Sequence, residues 1–70
     1  MDIRLATCVI IRKNGEYLVG RVLGSSELRW SIYAHDAWRT RNREKAREIS
    51  RKTGGIEMLF NPAAGQLRIL

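Results

Sequence analysis

The dipeptide Asn14-Gly15 constrains this chain more than any other feature. It separates residues 2–13 (DIRLATCVIIRK) from residues 16–23 (EYLVGRVL), two stretches rich in β-branched, aliphatic and aromatic side chains. A type I′ turn needs positive φ at both central positions, and Asn-Gly meets that need with little strain. A two-residue loop also fixes the pairing. Ile11 is expected opposite Leu18, Ile10 opposite Val19 and Val9 opposite Gly20. Side chains alternate along a strand, so this register places Ile3, Leu5, Val9, Ile11, Leu18 and Val22 on one face, the natural core side. The other face carries Ala6, Cys8, Ile10, Tyr17, Val19 and Leu23, mixed with Arg4, Arg12 and Arg21.

The rest of the chain extends this sheet. Alternation of Leu28, Trp30 and Ile32 with Arg29, Ser31 and Tyr33 predicts a third strand over 28–33. Residues 41–53 read as a helix. Thr40 is its expected N-cap and Gly54 its left-handed C-terminal residue. Ala46, Ile49 and Thr53 form a thin inward stripe, with Asn42 and Ser50 at its edges and Ala37 and Trp38 extending the contact. Residues 56–60 make a strand, Asn61-Pro62 and Gly65 a turn, and 66–70 a last strand. The expected fold is one α+β domain over 1–70, in the order β-β-β-α-β-β. Its antiparallel sheet has four to five strands, with one helix packed on one face. One helix covers one face only. The mixed face is then expected to stay open, making Ile10, Tyr17 and Val19, with Arg12 and Arg21, a candidate oligomer interface.

A domain of 70 residues buries only about 60% of its unfolded surface and gains from an additional constraint. One cysteine (Cys8) and one histidine (His35) exclude an internal disulfide and a single-chain zinc site, so neither metal nor cofactor is expected. Homo-oligomerisation is the remaining aid. No apolar run is long enough for a membrane span and no signal peptide is expected at the start. The lone thiol fits a reducing cytoplasm. Cys8 itself reads as a small buried hydrophobe. His35 and Asp36 are neighbours that do not face each other, so they make no acid–base pair. Trp30 and Trp38 read as packing residues, and Tyr17 as the aromatic most suited to a partner.

Charge bears on function. The net charge is +6 with a pI near 10.5, which favours an anionic partner: nucleic acid, a nucleotide or an acidic protein surface. The surplus concentrates between Arg41 and Lys52, where six basic residues meet two acidic ones. Arg43, Arg47 and Arg51 form an i, i+4, i+8 column, and Arg41, Lys45 and Lys52 a second line. Glu48 can pair with Lys52 or Arg51, at roughly 0.2–0.5 kcal/mol per pair, while the arginine column costs a similar amount per step. Arg41 and Arg43 also oppose the helix dipole, at about 0.3–1 kcal/mol each. Cations that weaken their own helix point to an anion outside it, and Arg41, Arg43, Lys45, Arg47 and Arg51 are the candidate partner-binding residues.

Two resemblances bear on the same stretch. CVIIRKNGEYLVGRV, WSI and REISRKTGG resemble the front of a Nudix hydrolase, whose box reads G-x5-E-x7-R-E-U-x-E-E-x-G. Arg47-Glu48-Ile49-Ser50 fits R-E-U-x. Arg51 and Lys52, however, stand where the metal-binding glutamates belong, Arg39 replaces the upstream glutamate, and Tyr33 the opening glycine. A basic cluster repels Mg²⁺, and no hydrolase activity is expected. Tyr17-Leu18, Trp30, Asp36-Ala37-Trp38-Arg39-Thr40, Ala46, Ile49 and Gly54-Gly55 look like a motif of small phage- and prophage-encoded proteins. Ser50 stands where a second alanine is common in that group. This resemblance implies fold and origin, and makes inhibition of a host defence system a reasonable role. The expectation is therefore a non-enzymatic binder with a basic helix face. A self-assembling structural protein and an oligomer that sequesters a small anionic nucleotide are the alternatives.

Overall fold

The structure, a computed structural model, describes residues 7–70. The expected strand over 2–6, with Ile3, Arg4, Leu5 and Ala6, lies outside the described residues. Five strands form one antiparallel sheet: β1 (Cys8–Lys13), β2 (Glu16–Arg21), β3 (Leu28–Ser31), β4 (Ile56–Asn61) and β5 (Gln66–Ile69), in the spatial order β3-β2-β1-β4-β5. One helix, α1 (Arg43–Thr53), follows a 3₁₀ turn over Ala34–Asp36. The α+β class and the β-β-β-α-β-β order are those the sequence implies. The terminal strand pairs within its own chain, Met58 against Ile69 and Phe60 against Leu67.

Asn14 and Gly15 turn at φ 53° and 79°, and the hairpin starts in the expected register, with Lys13 against Glu16 and Arg12 against Tyr17. Beyond that pair the two strands part. The Leu18 carbonyl accepts the Trp38 N–H at 2.8 Å. Val9 exchanges both backbone bonds with Thr40, at 2.8 and 3.0 Å. Residues 38–40 therefore enter the sheet plane between β1 and β2. The expected partners of Val9 and Ile10, namely Gly20 and Val19, are displaced. A bulge reinforces the opening: Leu18 pairs with Trp30 and Gly20 with Arg29, leaving Val19 unopposed.

This connector carries the chain from one side of the sheet to the other. On one side α1 packs over β1 and β4, burying Ala46 completely against the side that holds Val9, Ile11 and Leu18. On the other side the 3₁₀ turn and Ala37 cover Cys8, Ile10, Tyr17, Met58 and Phe60. His35 meets Phe60 edge-on at 5.2 Å, and the Arg39 guanidinium lies 5.7 Å from the same ring. The face expected to be open is thus a second core. Ile10 is 0% and Tyr17 7% exposed, so neither can present an interface. Arg12 is half-buried, 5.8 Å from the Tyr17 ring, Val19 is half-buried, and Arg21 is exposed. Ala37 serves this second core rather than the helix contact.

The ends of elements show two further departures. Asn42, not Thr40, caps α1: its Oδ1 accepts the Lys45 N–H at 3.1 Å, while the Thr40 hydroxyl accepts the Asn42 N–H. Thr40 is committed to Val9, and the helix starts two residues later than the sequence suggests. The third strand stops at Ser31 because its hydroxyl accepts the Tyr33 N–H and donates to Asp36. Ile32 and Tyr33 are exposed. At the other end of α1, Gly54 takes φ 75° as expected. A Cβ on Gly55 would lie 2.6 Å from Ile11 Cγ2 and 3.0 Å from the Arg12 carbonyl. Gly55→Ala is therefore expected to destabilise the fold by about 1–3 kcal/mol through overpacking, read as a lower urea midpoint at unchanged slope.

Candidate anion-binding face

The arginines expected to act together fall into two groups. A helix advances about 100° per residue, so Arg43 flanks the buried stripe while Arg47 and Arg51 turn progressively outward. Arg41 precedes the helix and is not in its first turn. Lys45, two residues after Arg43, lies on the opposite flank. All five are exposed.

Their lack of partners is the notable electrostatic feature. Among the described residues the one ion pair is Lys52–Glu48, at 2.9 Å. Glu48 is fully exposed, and the hydrogen bond and charge of Lys52 lower its pKa. Glu48 is thereby committed to Lys52 and leaves Arg51 unpaired. Glu57 does not compensate, since its Oε1 is buried without any hydrogen-bond partner among the described residues. Arg41, Arg43, Arg47 and Arg51 have no carboxylate within ion-pair distance among those residues.

The sheet contributes what the helix lacks. Because α1 lies over β1 and β4, the helix-side face of β5 projects beyond it as a ledge. Arg68, opposite Leu59, stands on that ledge. A cleft of about 500 Å³ opens between the ledge and the start of the helix, lined by Arg41, Arg43 and Arg68, by Asn61 and Gln66, and by Val9 and Leu59. A neighbouring hollow of about 410 Å³ is lined by Arg39, Arg41 and Pro62. Neither Arg68 nor Asn61 stands out as a site residue in the sequence. Arg68 is a lone cation in a terminal strand, and only the β4–β5 register brings it to Arg43. Asn61 reads as a turn residue, and it is one: its Oδ1 accepts the N–H groups of Ala63 and Ala64, at 3.1 and 3.3 Å.

Cys8 lies at the edge of this cleft but is 6% exposed, and its thiol donates to the Phe60 carbonyl at 3.4 Å. Burial raises its pKa, and the nearby Arg39 and Arg41 offset part of that rise. Among the described residues no three of His, Cys, Asp and Glu gather as metal ligands, and no helix is long and apolar enough to cross a membrane. Comparison with known protein families, curated proteins and solved structures finds no match.

The raised thiol pKa has a definite sign. The folded chain holds this proton more tightly than the unfolded one, so the stabilisation is fully present below the ordinary value of 9.0. It is lost as pH climbs through the higher folded value. From about pH 8 to about pH 10, unfolding free energy should fall more steeply in the parent chain than in Cys8→Ala. Removing the helix cap with Asn42→Ala should cost about 1 kcal/mol in the same urea titrations.

Proposed function

We propose that this protein is a non-catalytic binding protein whose arginine-rich face takes up the phosphates of a nucleic acid. The observation that supports this reading is the unpaired state of Arg41, Arg43, Arg47 and Arg51 among the described residues, next to a glutamate committed elsewhere. Guanidinium groups suit phosphates because their planar fork makes two parallel hydrogen bonds. Four residues of helix rise about 6 Å, so Arg43, Arg47 and Arg51 form a row that can follow a charged backbone. Contacts of this kind give affinity without base selection. The protein acts by occupancy, holding or masking its partner without turning anything over.

A second reading is self-assembly, displaced from the face that the fold has closed. On the side of the sheet away from α1, Ile56, Leu67 and Ile69 are 47%, 36% and 73% exposed. The Leu70 N–H points inward to Glu57, so the backbone groups of Leu67 and Ile69 face outward along the sheet edge. Light scattering on the parent chain and on Ile69→Lys checks this reading: a dimer lost in the variant supports it, and a monomer in both removes it.

Fluorescence anisotropy with generic duplex DNA and single-stranded RNA, over a range of salt, tests the first reading. Affinity should fall steeply with salt. Arg43→Glu with Arg47→Glu should weaken binding at least about tenfold and flatten the salt slope by about one to two, with circular dichroism unchanged. Undiminished binding by that double variant would remove the helix face as the site. Binding to an acidic protein but to neither polymer would replace nucleic acid with a protein partner.

A further inference from the structure

We propose that the cleft between the start of α1 and β5 binds a nucleoside phosphate. The phosphate would sit on Arg41, Arg43 and Arg68, and the base on the apolar floor. The inference rests on the phosphate-binding reading of this face and names the ligand class of one part of it. Three guanidinium groups reach the cleft from three separate elements: the connector, the first residue of the helix and the last strand. No carboxylate lines it among the described residues. A row of solvated cations along one helix would not enclose a small anion; convergence from three directions does.

An independent feature points the same way. Asn61 is 6% exposed and lines the cleft. Its Oδ1 is held by the N–H groups of Ala63 and Ala64, which fixes which end of the amide is oxygen. Its Nδ2 is therefore a donor, and it has no hydrogen-bond partner among the described residues. A largely buried amide fixed by its oxygen, with its donor still accessible beside three cations, is suited to an anionic oxygen.

The floor excludes the simplest ligand. Val9 is already shielded, at 2% exposed, but a bare phosphate ion would leave the half-buried Leu59 facing water. A volume of about 500 Å³ falls within the range of small-molecule sites, roughly 300–1,000 Å³. A flat heterocycle carrying a phosphate meets both demands. Guanidinium planes can stack on its base, and the Gln66 amide at the rim can pair with a base edge.

Calorimetric titration of the full chain with 5′-AMP, adenosine and inorganic phosphate tests the proposal. AMP should bind at least tenfold more tightly than either adenosine or phosphate. Asn61→Asp keeps the acceptor for Ala63 and Ala64 but turns a carboxylate oxygen toward the ligand, and it should weaken AMP at least tenfold. Arg68→Ala, on the exposed ledge, should do the same and serves if Asn61→Asp unfolds. AMP binding that survives both changes, or adenosine or phosphate binding as tightly as AMP, overturns the inference. Arg47→Glu with Arg51→Glu should weaken nucleic acid and spare AMP. Failure of AMP alone therefore sinks the cleft and leaves the wider face standing, while failure of nucleic acid alone does the reverse. Competition by 5′-phosphorylated and 5′-hydroxyl oligonucleotides identifies the source. Preference for the phosphorylated strand assigns the cleft to a strand end, and no competition from either assigns it to a free nucleotide; both results uphold the site.

Discussion

Thr40 and Val9 exchange both of their backbone hydrogen bonds, and through that exchange the chain passes across the plane of its own sheet. Much else in the molecule depends on it. The 3₁₀ turn can cover Ile10 and Phe60 because the connector starts on that side. The helix can cover Ile11 and bury Ala46 because the connector ends on the other. A 70-residue chain with one helix would ordinarily leave half its sheet exposed. Here a short irregular segment closes the second side, so two thin cores share the same strands. Val9, Ile10 and Ile11, consecutive in sequence, are all buried, which a sheet covered on one face alone does not permit.

The connector also sets the electrostatics. It ends at Thr40, and the next residues are Arg41, the cap Asn42 and Arg43. Fixing Thr40 against Val9 places those exposed cations at the mouth of the cleft. The positive end of the helix dipole adds to them, and Glu44 in the first turn offsets part of it. Glu44 and Glu48 lie further round the helix, and Glu48 serves Lys52.

Local chemistry made much of the fold legible. Asn14-Gly15 specified the turn and the first two pairs of its ladder, Gly54 marked the helix end, and the Ala46, Ile49, Thr53 stripe identified the packed side. The connector was not legible. Trp38-Arg39-Thr40 is too short for any periodicity to reveal, and its partners are 20 and 31 residues away, at Leu18 and Val9. The misplaced N-cap follows from the same cause: Thr40 and Asn42 are both good caps by chemistry, and only the pairing of Thr40 decides between them. The open interface failed for this reason too, since Ile10 and Tyr17 are covered by a segment whose composition reads as a loop. Of the candidate site, the helix arginines were visible as a charge pattern, whereas Arg68 and Asn61 required the β4–β5 register.

The split hairpin has a consequence for how the chain reaches this state. A fragment holding only residues 8–21 has every reason to zip fully, because nothing in it competes for the carbonyl of Leu18 or the amide of Val9. The complete protein must leave that outer half unzipped until a segment made later arrives to occupy it. Its most local element is therefore also the one whose early completion would be a mistake.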